Sequence, residues 1–293
     1  MESIKAHRTA VEFEANRLRT PAIQDAFDKT SARSWCLSAM GDSLVRVRLF
    51  LEQNFNFIET MGVVAVSRYL FELSVWLHLF ERDERYGLVY YGQLIETQQR
   101  YYSDYLGQLQ REVELLLAFE KKEHEAQDVL LNDDASPEDI GSRYRATAQM
   151  IDAQAALKFS LYTDDAKVNG YGFQAHLVET QAISSVEAAL ETLQTEQAEF
   201  ETHVLPLITD LVQTEKGKKK RWEWKEMAVS VGLLAEYDFL YAYASKLLHA
   251  TPASITTDQK NLELSEFCVF LKYIDVKTIE LIDLARRYPR NAL

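Results

Sequence analysis

Tyr101-Tyr102-Ser103-Asp104-Tyr105-Leu106-Gly107-Gln108-Leu109-Gln110-Arg111-Glu112-Val113-Glu114-Leu115-Leu116-Leu117-Ala118-Phe119 decides the fold. Tyr101, Tyr105, Leu109, Leu116 and Phe119 recur at the spacing of one helix face, with polar and charged residues between them. Leu94 extends the stripe upstream. The spacing predicts one long helix over residues 88–128.

The same reading carries outward in both directions. An amphipathic segment covers residues 4–18. Thr20-Pro21 has the form of a cap followed by proline at the first helical position. The next helix carries Trp35, Cys36 and the stripe Leu37, Met40, Leu44, Val47 and Leu51, up to a break at Asn54 and Asn56. A strongly apolar helix is predicted over 57–80, and Glu81-Arg82-Asp83-Glu84-Arg85 is its connection to the long helix. Beyond the loop at Asn132-Asp133-Asp134-Ala135, Ser136-Pro137-Glu138-Asp139 reads as a capping box opening a helix to residue 162. Residues 163–172, with Asn169, Gly170 and Gly172, read as a loop or hinge. Helices are predicted again over 176–203, ended near Pro206, over 222–249, and over 261–287. No strand period, hairpin signal or internal repeat is present. The expectation is an all-α antiparallel bundle of about eight helices. An N-terminal arm, residues 1–30, is expected before a single continuous helical domain, residues 31–293.

Composition agrees. Only 10 Gly and 5 Pro punctuate 293 residues, which favours long elements. A formal charge of −13 disfavours non-specific binding to nucleic acid, whose phosphates are held by Lys and Arg. Cys36 and Cys268 are the only cysteines, so no disulfide framework is expected. The first residues lack an apolar signal core, and the 57–80 stretch is interrupted by Glu59, Arg68 and Glu72. These features predict a cytoplasmic chain with no membrane span.

Three constellations could carry chemistry. Tyr241, Ser245 and His249 stand four apart in an otherwise apolar helix that Pro252 stops, so a phenol, a hydroxyl and an imidazole share one face. They fit either a proton-handling site or a buried row satisfied by neighbouring helices. Arg68 and Glu72, also four apart, sit inside the 57–80 helix. They fit an internal ion pair, or an arginine fork offered to phosphate or carboxylate. Lys218, Lys219, Lys220, Arg221 and Trp222 put cations beside an aromatic, a pattern shared by solvated loops and by single-strand nucleic-acid contacts. No metal or cofactor is expected. Glu-x-x-His pairs, zinc-type Cys/His spacing and Gly-rich phosphate loops are absent, and Glu120 and His124 lie on a solvated charged face.

The same residues resemble a bacterial family of unknown function related to the HEPN helical proteins. The resemblance lies in Arg68-x-x-x-Glu72 with Trp76 one turn on. Far downstream it lies in Trp222 or Trp224, Ala228, Tyr237, then Tyr241-x-x-x-Ser245-x-x-x-His249 and Ala250. It implies a helical bundle, often a homodimer, acting in bacterial defence or stress and in some relatives cleaving RNA without metal. HEPN nucleases place an Arg five to seven residues before the active His. Here Ala242, Tyr243 and Ala244 occupy those positions. Two readings follow. One is a degenerate, non-catalytic relative that acts through protein–protein contacts. The other is a metal-independent ribonuclease toxin or antiphage effector, with Arg68 stabilising phosphate charge, His249 moving the proton, and Glu72, Ser245 and Tyr241 completing the cluster.

Overall fold

The structure, a computed structural model, describes residues 6–53, 60–131, 137–213, 220, 222–248 and 262–288. No strand occurs among them, and the chain is all-α. It divides into two compact units. One is made from both ends, Met1–Gly92 with Phe200–Leu293, and the other is Gln93–Glu199. Residues 1–30 thus belong to the first unit, and no boundary falls at residue 30.

The first unit is built around one helix. Helix α1 (Arg8–Leu18) buries Val11, Ala15 and Leu18, a 4–3 spacing, against α3 (Ala32–Gln53); a short α2 (Pro21–Asp25) lies between them. Thr20 is extended and Pro21 takes the first helical position, as expected, but the helix stops after one turn. Asp28 then turns the chain, accepting hydrogen bonds from the Thr30 amide and hydroxyl, both at 2.8 Å. The stripe Leu37, Met40, Leu44, Val47 and Leu51 is buried in full. Helix α4 (Thr60–Arg82) buries residues on nearly all sides, among them Val64, Leu70, Phe71, Val75, Leu77 and Phe80. Such a helix belongs at the centre of a core or in a membrane. Residues Gly62–Arg82 are long and apolar enough to span one, but most of that surface is buried inside the unit. The last helices, α13 (Ala242–Leu248) and α14 (Leu264–Arg287), both pack on α4. Phe270, Ile274, Leu281 and Ala285 of α14 join its core.

Helix α5 (Tyr86–Leu131) runs unbroken for 46 residues. Asp83 caps its start, accepting from the Arg85 amide at 2.9 Å. Its N-terminal turns bury Leu88, Val89, Tyr91 and Ile95 in the first unit's numbering; further on, Leu109, Glu112, Leu116 and Phe119 are buried. Residues 96–108 bury none of their side chains fully, and Tyr101, predicted on the apolar stripe, stands 60% exposed, stacked on Tyr105.

The second unit packs Leu109, Leu116 and Phe119 against α6 (Pro137–Ala156), α7 (Thr163–Asn169), α8 (Tyr171–Leu177) and α9 (Ser184–Glu199). Here two expectations are corrected. Helix α6 ends at Ala156 rather than residue 162, because the Ser160 hydroxyl accepts from the Tyr162 and Thr163 amides and starts a new helix. The expected loop at 163–172 is helical, broken only at Gly170, whose φ of 89° favours glycine. Ser136 of the expected capping box lies outside the described residues.

A wide π-helical turn (Val178–Ile183) joins α8 to α9, and a second (Phe200–Val204) follows α9 before a 3-10 turn at Pro206 and a short α10 (Thr209–Val212). The helix predicted over 222–249 is also subdivided. It comprises α11 (Trp224–Ser230), a break at Gly232 with φ 79°, α12 (Leu234–Glu236), a π-helical turn (Tyr237–Tyr241), and α13.

Candidate functional site

Helix α4 and the π-turn that leads into α13 bring Arg68, Glu72 and Tyr241 together. On α4 the four-residue spacing stacks Glu72 over Arg68, and the Arg68 Nε donates to Glu72 Oε1 at 3.1 Å. The Arg68 Nη2 donates to the Tyr241 hydroxyl at 3.1 Å, and the guanidinium also lies 4.9 Å from the Tyr241 ring centroid. A cation over an aromatic face gains about 0.5–2 kcal/mol, more as water is excluded. Phe71, Tyr237 and Trp224 surround the same ring, with Tyr237 stacked at 5.1 Å. Burial works against the Arg68 charge, but Glu72 and Tyr241 more than offset it, so its pKa lies above the ordinary value. Burial raises the Tyr241 phenol, with the Arg68 charge pulling the other way. The phenol therefore stays protonated through the physiological range.

Ser245 lies one turn beyond Tyr241. Its hydroxyl is buried without a hydrogen-bond partner, as is that of Ser67, on the neighbouring helix α4. His249 lies outside the described residues. Of the basic set, Lys218, Lys219 and Arg221 lie outside them too. Lys220 is exposed, its amide donating to the Val212 carbonyl at 2.7 Å. Trp222 is half-buried, edge-on to Tyr86 at 5.9 Å, and packs against the cluster of Phe71, Val75 and Leu79. No group of three or more His, Cys, Asp or Glu residues is placed to hold a metal among the described residues.

Sequence reasoning missed a second polar network on α4 and α14. Glu280 accepts from the Ser74 hydroxyl at 3.0 Å, pairs with His78 Nε2 at 2.5 Å, and pairs with Lys277 at 2.5 Å. Lys277, 2% exposed, also pairs with Glu236 at 2.9 Å, and Glu236 accepts from the Tyr273 hydroxyl at 2.9 Å. Burial would raise the Glu280 carboxyl, yet His78, Lys277 and Ser74 together hold it down at about 2. Burial, then the Glu236 charge, pushes the Tyr273 phenol far up. Every charged member has an opposite partner, which is the condition under which buried charge is tolerated. The available signal was faint: Ser74 and His78 four apart, Lys277 and Glu280 three apart.

No protein-family model, curated protein or solved structure matches this chain.

Proposed function

We propose that this chain is a HEPN-like helical protein, arranged as an antiparallel bundle, that acts in the bacterial cytoplasm through protein–protein contacts rather than catalysis. Defence or stress is the setting that the resemblance implies. The observation that carries the non-catalytic reading is the state of Arg68. Its guanidinium is committed to Glu72, the Tyr241 hydroxyl and the Tyr241 ring. A cation that stabilises a scissile phosphate must instead present open donors to substrate. Trp222 supports the same reading, since a ring packed on Tyr86 offers less face for stacking a base.

The ribonuclease alternative is favoured by one observation. The Ser245 hydroxyl is buried without a hydrogen-bond partner, one turn from Tyr241, and Arg68 remains 27% exposed. An orphaned buried hydroxyl costs about 1–3 kcal/mol and invites a ligand or water. The deciding experiment expresses wild type, Arg68→Ala and His249→Ala in bacteria and follows growth and total RNA. The proposal expects no cleaved RNA from any of the three. Cleavage by wild type that either substitution abolishes establishes the ribonuclease.

A further inference from the structure

We infer that the outward face of α14 is a contact surface for a second copy of this chain, paired antiparallel. The inference rests on reading the protein as one that works by contact. Residues of α14 that point away from the core fall at Ser265, Val269, Lys272, Val276, Ile279, Asp283 and Arg286. Their spacing alternates four and three, the repeat of a coiled-coil seam. Three of them are large apolar side chains left in solvent: Val269, Val276 and Ile279, at 48%, 45% and 43% exposure. The opposite face, with Phe270, Ile274 and Leu281, is buried in the chain's own core, so the seam is additional to what folding needs.

The seam is complementary to itself in one register. Antiparallel pairing centred at Ile274 sets Val269 against Ile279 of the second copy, Lys272 against Val276, and Ser265 against Asp283. This is the pairing of first with fourth heptad positions that antiparallel coils use. Charge agrees with the direction. The first turn carries Glu263 and Glu266 and the last Arg286 and Arg287, so each acidic end meets a basic one, and the helix dipoles oppose. Tyr243 and the Glu263 amide bind the Glu266 carboxylate and hold its pKa below the ordinary value. Beside Val269 an open apolar slot of about 260 Å3, lined by Phe239, Tyr243 and Phe270, receives Ile279 of the second copy. Lys272 keeps its amine at the edge, 3.5 Å from Asp275, while its stem covers Val276.

The paired stretch is about 27 Å long at 1.5 Å per residue. A seam this short, with one lysine inside it, belongs to the small, transient class of interfaces. Sedimentation of the full chain from about 1 µM to 1 mM is expected to show reversible dimer formation. Ile279→Asp and, independently, Val276→Asp should weaken it at least about tenfold with unchanged circular dichroism. In a Cys268→Ser background, Lys272→Cys mixed with Val276→Cys should cross-link as a mixed pair in preference to either variant alone. A wild type that stays monomeric, an Ile279→Asp protein that still associates, or cross-linking of like with like overturns the surface. A monomer leaves the contact-protein reading standing with some other partner, whereas RNA cleavage overturns that reading and not the seam.

Discussion

Arg68 keeps its charge inside a largely apolar unit because two unlike partners share it, a carboxylate and a phenol. The contributions separate by mutation. Tyr241→Phe removes the hydroxyl but keeps the ring, and is expected to cost about 0.5–1.5 kcal/mol. Tyr241→Ala also removes contacts with Phe71, Tyr237 and Trp224, and should cost about 3–5 kcal/mol. Denaturant melts with an unchanged slope would measure both; equal losses would mean the ring contributes nothing. Glu280 gives a pH-dependent counterpart. Its folded pKa, about 2, lies below the ordinary 4.5, so its contribution is present above 4.5 and is lost as pH falls from there towards 2. The stability gap between wild type and Glu280→Gln should therefore be widest near neutral pH and close across that window. A gap independent of pH would show that the carboxylate is not held down in the fold. At this scale the sequence was partly legible. Charged residues in an apolar helix announce that they need partners, so Arg68 and Glu72 were readable. Lys277 and Glu280 looked like an ordinary surface pair, because nothing local shows that Glu236 and His78 converge on them.

Elements with a steady apolar period were the most legible, since the stripe of α3 and the length of α5 depend on burying one face. The breaks between elements were not. Residues 163–172 carry glycine and acidic residues and so read as a loop. Yet Tyr171 is 1% exposed and donates to Asp152 at 2.8 Å, and that packing keeps helix on both sides of Gly170. The strain is confined to one residue, with φ 89° and ψ 140°. Gly170→Ala should cost about 1–3 kcal/mol for forcing a side chain into that region. A thermal melt unchanged by the substitution would refute the backbone geometry. The π-turns left no mark in the sequence either, because an extra residue in a turn is accommodated by packing on both sides.

For the molecule as a whole, the negative total charge sets an expectation that the local basic loop has to overcome. Binding of a fluorescent single-stranded RNA should be undetectable near physiological salt, and any binding at low salt should fall steeply as salt is added. Tight binding insensitive to salt would point instead to stacking contacts and revive the nucleic-acid reading of Lys220 and Trp222. The division into two units could not be read from a single sequence, because one unit draws on both ends of the chain. Ser74 and Glu280 are 206 positions apart and hydrogen-bonded. The turn at Tyr237–Tyr241 carries a last consequence. A helix works like a dial on which each residue advances the pointer by about 100°. The one surplus residue in that turn therefore sets the phase of everything after it. Deleting the solvent-facing Phe239 should tighten the turn to an ordinary coil and swing Ala244, Ser245 and Leu247 by that same angle, away from the faces they now hold. So a single-codon loss at an exposed position is expected to do more damage than most substitutions in the core.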